Sequence, residues 1–500
     1  MNITTVRTAV VDGLRPRPAE VRVERRSAAG PFQLEISGLG RTAAETRVRV
    51  QTGLRQSGIT LPRGRFSVAA TPATERNTAL HDLPVALGVL TAAGRIDPAR
   101  LTETLTVGSI DPRGTLTPVR GMFPIAGLCA QLARHLIGPA AQRAEAACAG
   151  PVEALLRHDL GALVRAVCNG EQTETLRPED AGHWREPERQ EPIPGYLDAK
   201  RALEIAIAGG HPLLIASHHL APIGPLARRV ARWAGPLPTD TWRMLTTARS
   251  IAGLLAPDET GTRERPFRAP HYTASRISIA GNANGGSDGR NGENGETATP
   301  ASPGEATLAH GGILYLEQLD EFRRDTLEPL RAAARTGTIA DRTGTMPADT
   351  LLIGNMLAAD EDTATVLTTR LRRHHPLQDT FQAAVAVPYE PYASRQGSPT
   401  PGEGEEEHWH RMRIQAARDA QHRRYGGTTT NARADLNALL AKGRHTLDAQ
   451  LRIEEMQSTL DTQRTTNVVR LARTIADLRG NPETSSADIQ EAERLAHHAT

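Results

Sequence analysis

Residues 211–233 read HPLLIASHHLAPIGPLARRVARW, and their pattern decides the fold. His211 to Ala216 has the continuous apolar character of a strand buried on both faces. Ser217 to Pro225 then supplies a loop, and Leu226 to Trp233 a helix. Strand, loop and helix in that order form the frame on which phosphate-binding loops are built. Upstream, Asp198 is placed to cap a helix running through Ile207, which Gly209-Gly210 ends. Downstream, Ile313-Leu314-Tyr315-Leu316 reads as a strand ending on Glu317, and Leu351-Leu352-Ile353 as another, followed by Gly354-Asn355-Met356. Strands alternating with helices predict a parallel, helix-covered sheet.

Outward from this core the chain divides into several parts, as its 500 residues require. Residues 1–170 alternate β-rich and helical runs (Gln33 to Ile36, Ala44 to Gly58, Phe66 to Ala70) and predict an α+β domain. There, Asp111-Pro112-Arg113-Gly114 is a turn signal between two candidate strands, a hairpin. Residues 171–195 are polar and proline-rich and read as a linker. Residues 196–390 form the parallel-sheet core, interrupted at 281–307 by a Gly/Asn/Ser-rich stretch expected to be a flexible insertion. Residues 391–410 read as a second linker ending in the acidic run Glu405-Glu406-Glu407, and 411–500 as a helical lid. In the lid, Val468, Leu471, Ala472, Ile475 and Leu478 recur at helical spacing, and Ser485-Ser486-Ala487-Asp488 opens the last helix with a capping box.

Composition sets limits. The chain is 39% hydrophobic and 23% charged, with no apolar run long enough to span a bilayer. Its first residues lack the pattern of a secretory signal, so a cytoplasmic location is expected. Cys129, Cys148 and Cys168 are too few for a disulfide scaffold or a four-thiolate zinc site, and read as buried thiols. A net charge of +2 gives no global attraction to nucleic acid. Only Lys200 and Lys442 are lysines, so any lysine-dependent mechanism has two candidates.

Several runs together resemble the magnesium-chelatase-like AAA+ proteins of the ComM/YifB group. They are Asp82-Leu83-Pro84-Val85-Ala86-Leu87-Gly88, Gly114 to Gly121, Ala199-Lys200-Arg201-Ala202-Leu203-Glu204-Ile205-Ala206, Ser250 to Leu255, Pro266-Phe267-Arg268-Ala269-Pro270-His271, and Ala472-Arg473-Thr474-Ile475-Ala476-Asp477-Leu478. The resemblance implies an α/β multidomain protein: an S5/Lon-protease-like N-terminal domain, a P-loop AAA+ core and a helical lid. It also implies ATP and Mg²⁺ as cofactors, ring assembly and action on DNA. A Ser-Lys peptidase in the first domain is excluded, because neither lysine lies there.

The departures from the family fall where its chemistry resides. A phosphate loop, G-x-x-x-x-G-K-[ST], needs glycines so that amides converge on the anion, a lysine for the terminal phosphates and a hydroxyl for Mg²⁺. Here Ser217 stands at the first glycine, Ile223 at the lysine and Gly224 at the hydroxyl, and Pro222 has no amide hydrogen. The family's Asp-Glu pair is Glu317-Gln318; Glu317 keeps a carboxylate that could reach a metal, whereas Gln318 cannot act as a general base. Leu357 stands at the nucleotide-sensing asparagine and Thr380 at the arginine finger, with Arg370, Arg372 and Arg373 as neighbours. Gln463 stands near the lid arginine, beside Arg464. The adjacent pairs His218-His219 and His374-His375 are expected to diverge and hold no metal.

These replacements lead to the expectation of a degenerate subunit that binds no cofactor itself and acts beside copies of itself or an intact AAA+ paralogue. Arg268, Arg276, Arg342 and Arg411 are its candidate DNA or subunit contacts. The alternatives are an ATP-driven DNA motor with an unorthodox site and a gene product without a retained role.

Overall fold

The computed structural model describes residues 2–497 except 75–77, 182–192, 257–260, 283–301, 342–343, 359–362, 364, 367–374, 391–404 and 428. The N-terminal part carries two four-stranded sheets. The first, ordered β1-β2-β4-β3, comprises β1 (Asn2–Asp12), β2 (Arg15–Ser27), β3 (Gln33–Ser37) and β4 (Arg65–Thr71). The second, β10-β9-β8-β5, comprises β5 (Thr104–Thr106), β8 (His135–Pro139), β9 (Val152–Arg157) and β10 (Glu174–Leu176). Between them the expected hairpin pairs β6 (Ser109–Ile110) with β7 (Leu116–Thr117) across Asp111–Gly114.

Helices α1 (Ala43–Gln56), α2 (Asp82–Ala92), α3 (Met122–Gln131), α4 (Arg143–Cys148) and α5 (Leu160–Asn169) complete this part. Helix α2 is buried along its whole length, which explains why its apolar run shows no amphipathic stripe. Its one charge, Asp82, is neutralised by the Arg49 guanidinium at 2.7 and 3.0 Å. Two details differ from the sequence reading. Strand β10 lies inside the stretch read as a linker, where it pairs antiparallel with β9. Cys129 and Cys148 are buried, but Cys168, on the open side of α5, is exposed.

The central sheet has five parallel strands, ordered β12-β15-β18-β11-β19. They are β11 (Leu213–His218), β12 (Phe267–Arg268), β15 (Ile313–Glu317), β18 (Leu351–Ala358) and β19 (Ala383–Val387). Leu213 and Ile215 of β11 enter one core and Leu214 and Ala216 the other, so both faces are covered and the apolar run is continuous. Helices α6 (Leu197–Gly209), α7 (Ile223–Val230), α8 (Thr239–Ala252), α9 (Arg276–Ala280), α10 (Glu305–Leu308) and α11 (Arg324–Thr336) surround the sheet. Short ladders join β13 (Gly281–Asn282) to β14 (Ser302–Pro303), and β16 (Thr338–Asp341) to β17 (Gly344–Pro347).

Four boundaries move. Tyr196, at φ +54°, holds the cap position of α6, and Asp198 sits inside its first turn. Helix α7 begins at Ile223 rather than Leu226, because Pro225 is accommodated in the first turn, where its missing amide costs nothing. Strand β18 runs on through Ala358, held between β11 and β15. The edges of the Gly-rich stretch are paired as β13 and β14, and its middle lies outside the described residues.

The C-terminal region is helical: α12 (Glu405–Tyr425), α13 (Leu436–Lys442), α14 (Leu447–Thr459), α15 (Thr462–Leu478) and α16 (Ser486–His497). Helix α12 thus starts inside the stretch read as the second linker. Ser485 and Asp488 make the reciprocal cap, the Ser485 amide donating to Asp488 at 2.8 Å and the Asp488 amide to Ser485 Oγ at 3.3 Å. The helical region shares one hydrophobic core with α6, α7 and the adjoining sheet face. Buried Glu204 of α6 fastens α12 to it, meeting His410 and Arg413 at 2.9 Å each and Arg201 at 2.7 Å. The first part packs on α8 through a T-shaped Phe123–Trp242 contact and a 2.5 Å bond from Ser250 Oγ to buried Glu145, whose carboxyl is pushed up by desolvation.

Among the described residues no helix is long and apolar enough to cross a membrane.

Candidate functional site

In a parallel sheet, ligands bind outside the carboxyl ends of the strands, where the chain order reverses. Here that place is the end of β11, flanked by β18 and β19. The loop leaving β11 is short and closed on itself. The Ala221 amide donates to His218 O at 2.9 Å, a β-turn, and the Ile223 amide donates to Ala221 O at 2.8 Å. Between them Pro222, at φ −81° and ψ +53°, is the centre of an inverse γ-turn. The Leu220 amide donates to His218 Nδ1 at 3.2 Å. Three amides of the loop are therefore bonded internally, and a fourth position, Pro222, has none.

Side chains complete the picture. Ile223 is the first residue of α7 and is 1% exposed, pointing into the core shared with the helical region. A Cβ added at Gly224 would lie 3.7 Å from the Tyr315 ring, ordinary contact, so that residue is small without being sterically forced. His218 and His219 do not diverge as expected, since their ring centroids lie 4.3 Å apart, and Tyr389 packs 5.3 Å from His218. The three rings line one rim of the loop. No group of three metal-ligating side chains occurs among the described residues.

Glu317 and Gln318 reach the same end of the sheet. Glu317 is exposed at the tip of β15, and Gln318 follows at φ +55°. Leu357 is opposite Ser217 in the register of β18 on β11. Sequence reasoning missed Asn355, two residues earlier and buried. Its Oδ1 accepts from Ser217 Oγ at 3.0 Å and its Nδ2 donates to Tyr315 OH at 3.0 Å, joining β11, β18 and β15 beneath the loop. The signal was a lone amide within the apolar strand LLIGNMLA. Burial, with Glu317 nearby, pushes the Tyr315 phenol up, so it stays a neutral hydroxyl.

The remaining predicted residues lie elsewhere. Thr380 precedes β19, at the opposite end of the sheet from His218, and Gln463 and Arg464 open α15 beside it. Arg268, a third exposed, forms a two-pronged ion pair with Glu305 at 2.6 and 2.7 Å. Arg411 pairs with Glu407 at 2.9 Å, and Arg276 is exposed at the start of α9. Arg342, Arg370, Arg372, Arg373 and His374 lie outside the described residues.

Three matches to known families cover successive parts of the chain. Residues 23–142 match the family described as subunit ChlI of Mg-chelatase, residues 190–365 magnesium chelatase, subunit ChlI, and residues 404–495 the ChlI C-terminal family. The chain is 28% identical to competence protein ComM of Haemophilus influenzae across 94% of its own length and 93% of that protein's. It is 27% identical to YifB of Escherichia coli across 85% and 83%, and 28% identical to YifB of Salmonella typhimurium across 98% and 96%. With these matches following one another over a five-stranded parallel sheet and a helical C-terminal region, the protein belongs to the magnesium-chelatase-like AAA+ family, in the group that holds ComM and YifB.

Proposed function

We propose that this chain is a degenerate AAA+ subunit that keeps the family's fold and assembling surfaces while ATP binding and turnover at the β11 loop are impaired. The observation that carries this reading is the internal bonding of the loop: the Leu220, Ala221 and Ile223 amides already have acceptors. A phosphate cradle needs successive amides free to converge on the anion. Pro222 supplies no donor, Ile223 no cation and Gly224 no hydroxyl for Mg²⁺. The residues present do not fit an ATP·Mg²⁺ complex.

Gln318 adds a second deficit, since an amide cannot accept a proton from the attacking water, and loss of a general base typically removes about 10²–10⁴ in rate. Glu317 is the one feature that favours the alternative of an unorthodox ATP-driven DNA motor. A subunit of this kind acts in the cytoplasm beside copies of itself or an intact paralogue, in a ring associated with DNA. The test is steady-state ATP hydrolysis by the purified chain with Mg²⁺, with and without DNA, compared with a buffer blank. The same test on mixtures with an intact paralogue reports whether this chain changes the neighbour's rate. Turnover by this chain alone, stimulated by DNA, would overturn the reading.

A further inference from the structure

The first part of the chain meets α8 of the core through a buried acidic contact. Glu145 of α4 is 8% exposed and Ser250 of α8 is 2% exposed, and Ser250 Oγ donates to Glu145 Oε1 at 2.5 Å across the seam. The Phe123 amide, in the first turn of α3, donates to the same carboxyl oxygen at 3.1 Å and to Ser250 Oγ at 3.3 Å. Gln142 Nε2 donates to Glu145 Oε2 at 2.8 Å, and the Gln142 side chain is itself fixed by the amide and the carbonyl of Val119. Beside this cluster the Gly121 amide donates to Ser250 O at 3.1 Å, and the buried Trp242 ring meets Phe123 edge-on.

Among the described residues no cation pairs with this carboxyl. Arg143, on the same helix, pairs with Glu174 of β10. On β9, Glu153 is held by the hydroxyls of Thr173 and Thr175, and Arg157 pairs with Glu171. Helix α3 carries no charged residue. The turn Pro178–Ala181, packed against α4, carries Glu179, which is exposed like the neighbouring Arg177, and Asp180. On α8, Asp240 and Arg243 are exposed, while Arg249 and the exposed Arg120 border the seam without pairing with Glu145. Burial thus acts on an uncompensated acid, and it pushes the carboxyl up from the ordinary 4.5 in spite of three hydrogen bonds.

We propose that the Glu145–Ser250 contact is a proton-controlled latch between the first part and α8, closed most firmly while the carboxyl holds its proton and eased when it ionises. Both proton states fit the geometry. The ionised group accepts from Ser250 Oγ, the Phe123 amide and Gln142 Nε2; the neutral acid donates to Ser250 Oγ along the same 2.5 Å line while Oε2 still accepts from Gln142. What separates the two states is hydration, since opening the seam returns the carboxyl to water, which favours its charged form far more than its neutral one. The sign follows from this. The closed seam binds the proton more tightly than the open one, so closure is strongest in acid, weakens as pH rises from the ordinary glutamate value to the raised one, and then levels. None of these residues lies in the β11 loop, so the latch stands or falls separately from the reading of that loop.

Hydrogen–deuterium exchange of the full chain from about pH 5 to about pH 8.5, corrected for the intrinsic pH dependence of amide exchange, tests this on peptides spanning residues 119–126 and 242–253. Opening of these peptides should increase with pH by up to about tenfold per pH unit, the limit for one proton, and then reach a plateau. Peptides of α2, away from the seam, should stay flat and show that the fold is intact. Glu145→Gln, which cannot ionise, should remove the pH dependence at the seam. Ser250→Ala removes a donor that favours the charged form, so the plateau should be reached at a higher pH. That shift separates a proton-holding role from packing alone. A flat wild-type profile at the seam, opening that increases toward acid, the same slope in α2, a slope that survives Glu145→Gln, or a plateau that Ser250→Ala leaves in place or moves to lower pH would each overturn the proposal.

Discussion

The amide of Ile223 donates to the carbonyl of Ala221 at 2.8 Å, across the ring of Pro222. That bond gives the first amide of α7 an acceptor within its own chain. The neighbouring side chain follows, because Ile223 is directed into the core rather than over the strand ends.

Restoring the family's side chains alone should therefore fail. The triple variant Ile223→Lys, Gly224→Thr, Gln318→Glu is expected to remain at the blank in ATP hydrolysis, since the turns at Ala221 and Pro222 persist. It should also be less stable. Replacing an isoleucine that is 1% exposed with a cation loses its burial and places charge in the core, a cost of about 2–5 kcal/mol by urea unfolding. Hydrolysis in the triple variant would show that the cradle can re-form.

The Ser217–Asn355–Tyr315 chain of hydrogen bonds makes a separate prediction. Asn355→Ala strands two buried hydroxyls and should cost about 2–4 kcal/mol, whereas Tyr315→Phe removes one partner and should cost about 1 kcal/mol. Denaturant midpoints of both variants check the ordering; equal losses would contradict the network as described.

His211 predicts a pH dependence. Its ring joins the core to the helical region, Nδ1 lying 2.8 Å from Gln382 Oε1 and Nε2 2.7 Å from Thr474 Oγ1. Gln382 donates its own amide to Ala432 O, so Oε1 can only accept; Nδ1 carries the proton and Nε2 accepts from the threonine. Complete burial lowers this imidazole to about 4, from the ordinary 6.5. Between those values the unfolded chain takes up a proton that the folded chain refuses. Stability is thus lost as pH falls from about 6.5 toward 4, by about 2–3 kcal/mol from pH 7 to pH 4.5. His211→Gln should flatten the profile by that amount, and a profile of unchanged slope would contradict the assignment.

Glu204 predicts how the helical region is held. Glu204→Ala leaves Arg201, His410 and Arg413 facing an empty position and should cost about 3–5 kcal/mol. Amide exchange should quicken first along α12, with α2 in the first part unchanged; uniform quickening would mean that the clamp is not local.

Much of this was legible in the sequence because it rests on local chemistry. Apolar runs bounded by Gly209-Gly210 and by Glu317 predict β11 and β15, and the serine and aspartate at 485 and 488 predict the start of α16. The loop's departures from the phosphate-loop pattern were visible in Pro222, Ile223 and Gly224, but its turns depend on backbone angles that composition does not dictate. Asn355 was overlooked because the strand was ended at Ile353; burial between β11 and β15 extends it to Ala358. Glu204, inside the apolar run ALEIA, acquires its role only when α12 folds back upon it.

Hydrogen–deuterium exchange of the full chain, with and without ATP and Mg²⁺, tests the central claim most directly by following the peptides that span residues 216–226. The account predicts that their exchange is unchanged by ATP. Protection of the Leu220, Ala221 and Ile223 amides by ATP would show that they turn to meet phosphate, and would contradict it.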